Sequence, residues 1–262
     1  MTYSSRLSLV GKAAFVTGAG AGLGRAVAQS LAAAGARVLC SDLDAAAAAQ
    51  TAAAISASGG HADSASLNVT DCAAVVDAVR AFAGAAGRLD IQCNIAGVAS
   101  SGHRIEEMDE AAFDAVFAAN FKGTLYGCQA ALPMMLAAKR GSIINMASSA
   151  IDLSIPTNAS YSVSKAAVVM LTKVLANEAG PDGVRVNAVA PGFIPTTLSM
   201  GPAPVEPHAR SAFVDRWAAR APLGRVGTPE DVAHQFLYLA SDAAAFITGQ
   251  VLRVNGGATM PW

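Results

Sequence analysis

Charge is scarce in this chain. Charged residues fill 14% of its 262 positions, and 18 Lys plus Arg nearly balance 19 Asp plus Glu for a net charge of −1. So neutral a chain offers no general attraction for nucleic acid or an anionic membrane surface. Aromatic residues are also few, at 6%, with no basic clusters between them, which argues against a stacking platform for single strands. The four cysteines, Cys40, Cys72, Cys93 and Cys128, are widely spaced and form no C-x-x-C pair. They fit neither a zinc site nor a disulfide framework, and each reads as a small buried residue in a reducing compartment. His61, His208 and His234 lack ligand spacing, so no metal is needed. The longest uncharged window, 186–205, contains Pro191, Pro195, Pro202 and Pro204, which would break a membrane helix. Lys12 and several glycines interrupt the apolar run near the N-terminus, which argues against a signal peptide. The expectation is a soluble cytoplasmic protein with no nucleic-acid or membrane partner.

What the chain has in quantity is apolar side chain, 53% of its residues, enough for a large core. Short apolar runs alternate with alanine-rich helical stretches. Strands are predicted at 13–18, 37–42, 89–97, 141–149, 184–192 and 250–257. Helices are predicted at 24–35, 44–60, 71–87, 113–131, 161–179 and 231–239. Strands that are apolar almost throughout, alternating with helices, imply a parallel sheet covered on both faces. This is an α/β, doubly wound, Rossmann-type arrangement in a single domain over 1–262. One segment is irregular, 194–223. It opens rich in Pro and Gly and continues as a short helix with Phe213, Trp217 and Ala221 at i, i+4 and i+8. The expectation there is a mobile lid whose apolar face has no permanent partner.

"TGAGAGLG" (17–24) lies between the first strand and the first helix. Gly18 permits a tight exit from the strand, Gly22 a close approach of backbone to a phosphate, and Gly24 close helix–sheet packing. The helix N-terminus then presents its N–H groups and dipole to a pyrophosphate. Asp42 closes the second strand 24 residues after Gly18. An acid there accepts from a ribose 2′-hydroxyl and repels a 2′-phosphate, which selects NAD over NADP. Ala21 and Leu43, the neighbours best placed to welcome that phosphate, carry no charge.

"YSVSK" (161–165) sets Tyr161 and Lys165 four residues apart, on one face of a helix. An ammonium beside a phenol is expected to pull its pKa down and make it a usable proton carrier.

In their order along the chain these motifs resemble the classical short-chain dehydrogenase/reductase family, from Leu7 to Gly257. The glycine turn is joined by "NIAG" (94–97), with Ile95 in place of the second asparagine, and by Asn120 in "AANFKG". Ser148, 13 residues before Tyr161, the Tyr161-x-x-x-Lys165 pair, "PGFIPT" (191–196) and the terminal "ITGQVLRVNGG" complete the set. The resemblance implies hydride transfer between a nicotinamide and a secondary alcohol or ketone. It makes Tyr161 the acid/base and Lys165 its partner, which also holds the nicotinamide ribose. Ser148 becomes the donor to the substrate oxygen, with Ser149 competing for that role, and Asn120 the holder of a water joining Lys165 to solvent. Cofactor contacts carry over onto Gly18, Gly22, Leu23, Gly24, Asp42, Asn68, Val69, Asn94, Ala96, Gly97, Tyr161, Lys165, Pro191, Gly192, Ile194 and Thr196. Asn68 stands where the family usually has Asp against the adenine, and Asn255 replaces a common Asp near the C-terminus.

The substrate pocket would draw on 98–104, 149–155 and the lid. Phe193, Met200, Phe213 and Trp217 suggest an apolar, cyclic or aryl compound. His103 and Asp152 are open as substrate contacts or solvated loop residues. Two other readings stand beside this one: a 3-oxoacyl thioester reductase of acyl-carrier type, and a non-catalytic cofactor-sensing protein on the same fold. The resemblance also implies a homotetramer. The apolar residues of 113–136 and 166–180 fall on more than one face, in keeping with burial between subunits, and Trp262 in the apolar tail is a candidate contact there.

Overall fold

The computed structural model describes residues 3–99, 102–201 and 206–261; Ser100, Ser101, Pro202–Val205 and Trp262 lie outside the described residues, and with them part of the expected pocket wall, the middle of the lid and the expected contact by Trp262. Seven strands form one parallel sheet in the order β3-β2-β1-β4-β5-β6-β7. They are β1 (Ala13–Thr17), β2 (Arg37–Asp42), β3 (His61–Ser66), β4 (Ile91–Asn94), β5 (Gly141–Met146), β6 (Val184–Pro191) and β7 (Val251–Val254).

Side chains of successive strand residues point to opposite faces, and both faces are covered. On one side Val16, Ile91 and Ile144 pack with Val27 and Leu31 of α1 (Gly22–Ala33), Ile55 of α2 (Ala45–Ala57), and Phe236 and Leu239. The last two belong to a late helix, Pro229–Ala240. On the other side Phe15, Ile143 and Val186 pack with Val75, Val79 and Phe82 of α3 (Cys72–Ala86) and with Met135 and Leu175. Burial on both faces is why these strands are apolar throughout rather than alternating.

The one strand absent from the sequence expectation is β3. "HADSAS" has no apolar run, and at the sheet's edge four of its six residues are exposed. A polar edge discourages further strand pairing. The predicted helix at 113–131 is longer and interrupted. It runs as α4 (Glu110–Phe117), a π-helical turn (Ala118–Lys122) and α5 (Gly123–Ala138). Three more long helices follow, α6 (Ala159–Ala179), α7 (Pro207–Ala218) and α8 (Pro229–Ala240), besides one-turn helices at Tyr3–Arg6 and Thr197–Met200. Cys40, Cys93 and Cys128 are buried as expected, and burial pushes the Cys40 and Cys128 thiols up to about 12. Cys72 is not buried; it opens α3, just after the capping Asp71, and is exposed.

Parallel strands bring all their carboxyl ends to one edge. The strand order reverses between β1 and β4, because the chain passes from β3 back across the sheet. In doubly wound sheets the crevice at such a reversal is where ligands bind.

Candidate active site

The glycine turn occupies that crevice. Gly18 has φ +68, and a Cβ on it would lie 2.8 Å from the Ala96 Cα, two residues past the end of β4. A Cβ on Gly24 would fall 2.0 Å from the Gly18 carbonyl oxygen, so the first turn of α1 can close on the loop only without side chains. Ala21, at the N-cap of α1, offers no side-chain cap. Backbone donors there, with no side chain in front of them, fit a pyrophosphate. The Asp42 carboxylate at the end of β2 accepts from Gly20 N–H at 2.8 Å and from Asp44 N–H at 3.0 Å. Asp42 therefore holds the loop as well as ending the strand. Leu43 beside it is exposed.

The other expected cofactor residues are spread around the crevice. Leu23, Pro191, Gly192, Ile194 and Thr196 line one cleft together, and a Cβ on Gly22 would touch Thr196 across it. Ala96 and Gly97 border Gly18 and Lys165, while Val69 lies against Gly123. Asn68 is exposed, with its Oδ1 accepting from both the N–H (3.0 Å) and the hydroxyl (2.9 Å) of Thr70. Asn94 ends β4. Its side chain is buried, linked to Gln92 and Asn145 at 2.9 Å each and to the Cys128 sulfur, and braces the interior rather than facing the cleft.

Tyr161, Lys165 and Ser148 meet. Helix α6 carries Tyr161 and Lys165 on one face, and Ser148 lies just past the end of β5. Ser148 and Tyr161 line the same cleft, and the Ser148 hydroxyl acts on the phenol. The competing Ser149 is buried and donates instead to the Ala190 carbonyl at 3.5 Å. Lys165 is 2% exposed and donates to the Met146 carbonyl at 2.9 Å, its Nζ lying 5.6 Å from the Tyr161 ring centre.

The electrostatics correct the sequence expectation. Burial holds the Tyr161 phenol above its ordinary pKa, and the Ser148 hydrogen bond, which acts downward, is the smaller effect. Burial also lowers the Lys165 ammonium to about 8. A desolvated lysine committed to a carbonyl does not itself bring the phenol into the neutral range; the downward pull comes from Ser148.

Asn120 lies in the π-helical turn and is fully buried. Its Oδ1 accepts from Val98 N–H at 2.8 Å, and its Nδ2 donates to the Val98 carbonyl and the Ser164 hydroxyl, each at 3.1 Å. The side chain thus clamps the segment after Gly97 against α6. Its backbone carbonyl accepts from the Thr124 hydroxyl at 2.9 Å.

The cleft holds about 310 Å³ and runs from Leu23 past Ser148 and Tyr161 to Phe213 and Trp217. The aromatic face of α7 does have a partner, contrary to expectation. Trp217 stacks on Phe193 with ring centres 5.0 Å apart and planes 6° apart, while Phe213 meets Phe193 edge-on at 5.4 Å. Phe193 lies two residues past the β6 end, a place that puts it in the pocket but carries no local signal that it seats α7. Asn255 and Ala258, from the turn after β7, also line the cleft and were not anticipated. Asp152 is neither a substrate contact nor a solvated residue; it is ion-paired with Arg253. His103 is exposed and does not line the cleft.

Fold and site together define an oxidoreductase with a dinucleotide crevice, a buried Tyr–Lys pair and an apolar substrate cleft. Residues 18–259 match the family profile described as enoyl-(acyl carrier protein) reductase. The chain is 39% identical over 244 residues to 2-(S)-hydroxypropyl-CoM dehydrogenase 3 of Xanthobacter autotrophicus, covering 93% of this chain and 95% of that protein. It is 35% identical over 251 residues to a 3-oxoacyl-(acyl-carrier-protein) reductase of Thermotoga maritima, with 96% and 99% covered. A crystal structure of a short-chain type dehydrogenase/reductase from Mycobacterium marinum superposes with a TM-score of 0.89 at 35% identity, covering 98% of this chain and 99% of that one. The chain belongs to the classical short-chain dehydrogenase/reductase family, oxidoreductases that use NAD or NADP on alcohols and ketones. No helix among the described residues is long and apolar enough to cross a membrane.

Proposed function

We propose that this is a cytoplasmic NAD(H)-dependent dehydrogenase of an apolar, cyclic or aryl secondary alcohol, working as a homotetramer. The observation that carries the chemistry is the contact of Ser148 with Tyr161 beside the buried Lys165. The nicotinamide, when bound, supplies the acceptor or donor of hydride. Tyr161 exchanges the proton of the substrate oxygen. Ser148 donates its single proton to the phenolate in the free site and to the substrate oxygen once substrate is bound, and Lys165 places a positive charge beside the ring. Gly18, Gly22 and Gly24 receive the pyrophosphate and Asp42 the adenosine ribose. Leu23, Pro191, Gly192, Ile194 and Thr196 enclose the nicotinamide end.

Asp42 carries the choice of NAD, since a 2′-phosphate would approach a carboxylate with no neutralising cation at Ala21 or Leu43. The stacked Phe193, Phe213 and Trp217 carry the choice of a ring-bearing substrate, with α7 as a lid over it. Three buried thiols suit a reducing compartment. On α6, Val163, Met170 and Val174 remain 49%, 59% and 45% exposed, an apolar stripe suited to a second copy.

Acyl-carrier thioester reduction is the competing reading, and Asp42 with the low net charge weighs against it. A non-catalytic sensor would have no use for the Ser148–Tyr161 contact. The test is turnover of propan-2-ol, cyclohexanol, 1-phenylethanol and a 3-hydroxyacyl thioester with NAD⁺, followed as NADH absorbance. Oxidation of cyclohexanol or 1-phenylethanol, lost in Tyr161→Phe, is the expected result. Thioester turnover alone, or none at all, would overturn the reading.

A further inference from the structure

In the proposed dehydrogenase Ser148 holds the substrate oxygen, and any part its neighbours play in the reaction rests on that function. Ser148 leaves β5 in extended backbone, φ −164, and its hydroxyl accepts from Ala150 N–H at 3.2 Å. This starts a single 3-10 turn, Ser149–Ile151, that ends on Asp152. Ser149 anchors the near end of the turn on the Ala190 carbonyl. The far end is anchored from 101 residues away. Arg253 of β7 donates through Nε to Asp152 Oδ2 at 2.6 Å and through Nη2 to Oδ1 at 3.0 Å. The Asp152 side chain is only 12% exposed.

The same carboxylate reaches the C-terminal turn. The Thr259 hydroxyl donates to Oδ2 at 3.5 Å, and Asn255 Nδ2 donates to the Thr259 carbonyl at 2.9 Å and its hydroxyl at 2.7 Å. Asn255 Oδ1 accepts from Gly257 N–H at 2.9 Å. Serine turn, last strand and C-terminal turn are therefore one hydrogen-bonded unit, and both Ser148 and Ala258 on it face the cleft. A two-point guanidinium–carboxylate fork fixes orientation as well as distance, which a point charge on lysine does not.

We propose that Asp152 and Arg253 are positioning residues for the reaction: their ion pair sets the Ser148 hydroxyl against the Tyr161 phenol and governs the chemical step rather than substrate affinity. A pair serving only as a surface staple would contribute little to stability and nothing to turnover.

The experiment compares Arg253→Met, Asp152→Asn, Arg253→Lys and Ser148→Ala, with cyclohexanol or 1-phenylethanol as probe, whichever the unaltered enzyme oxidises faster. Ser148→Ala should lower kcat about 100-fold, the scale for losing one donor to a developing oxyanion. Arg253→Met and Asp152→Asn should each lower kcat about 10-fold with KM changed less than about two-fold, and Arg253→Lys should recover part of the loss. In a Ser148→Ala background, Arg253→Met should cost less than about two-fold more, because its route runs through Ser148. Unchanged kcat in both Arg253→Met and Asp152→Asn, or a full additional loss in the Ser148→Ala background, would overturn the proposal while leaving Ser148 catalytic. An active Ser148→Ala enzyme would overturn the catalytic reading itself. Asp152→Asn keeps the shape of the side chain and carries the comparison if Arg253→Met does not fold.

Discussion

Lys165 crosses from α6 to donate to the carbonyl of Met146, the last residue of β5, at 2.9 Å. Its ammonium is buried, and its pKa falls from 10.5 to about 8 in the folded chain. Between those values the unfolded chain binds more protons than the folded one, so stability rises with pH there. Below about pH 8 the full cost of burying the charge is present; it is relieved as pH rises through 8. Lys165→Met should therefore raise Tm at pH 7, by roughly 3–8 °C for a chain of this size, and by clearly less at pH 10. Thermal unfolding at the two pH values checks this. Equal differences would mean that the ammonium is not desolvated.

In the proposed mechanism Tyr161 accepts a proton in the oxidising direction, so the rate should climb with pH towards the raised pKa of the phenol. Ser148 holds that pKa down. Ser148→Ala should move the rising limb of the pH–rate profile to higher pH, besides lowering the rate. A limb that stays in place would show that the two hydroxyls are not coupled.

Asp42 holds Gly20, and in the proposed function it also repels a 2′-phosphate. The unaltered enzyme should bind NADH about 10- to 100-fold more tightly than NADPH, the range of 1–3 kcal/mol. Asp42→Ala should narrow that gap and also weaken NADH, since the loop loses its anchor. Fluorescence titration of both cofactors measures each. Equal affinities in the unaltered enzyme would remove Asp42 as the selector.

Trp217→Ala removes the ring that stacks on Phe193. The KM for 1-phenylethanol should rise about 10-fold, the scale of one buried aromatic contact, with NADH affinity retained. An unchanged KM would make the aromatic cluster simple packing.

The apolar stripe on α6 predicts a tetramer by light scattering at micromolar concentration. Met170→Glu, at the most exposed of its three positions, should split it into smaller species. A monomer in the unaltered protein would refute the assembly.

Six of seven strands and the Tyr–Lys pair could be read in the sequence because burial on both faces, and the four-residue helical spacing, leave local signatures. β3 could not, since an edge strand with exposed residues needs no apolar run. Other features arise only from long-range contact. Asp152 looked like a free acid until the fold set Arg253 beside it. The partner of α7 is a residue preceding its own loop. The direction of the Tyr161 shift depended on how deeply the pair sits, which spacing does not convey. The interior bonds of the Asn94 side chain, to Gln92 and Asn145, likewise depend on the pleat of β4 and carry no mark in the motif.

The π-helical turn at Ala118–Lys122 sets a limit on length rather than composition. Each residue in an α-helix advances the chain by about 100° around the axis, and a π-turn is an α-helix holding one residue too many. Loss of any one residue between Glu110 and Phe117 would let the turn relax, rotating Asn120 out of line with Val98 and Ser164 while α5 kept its seat. This stretch should accept many single substitutions on its outer side, yet reject a one-codon deletion as firmly as the loss of Asn120 itself.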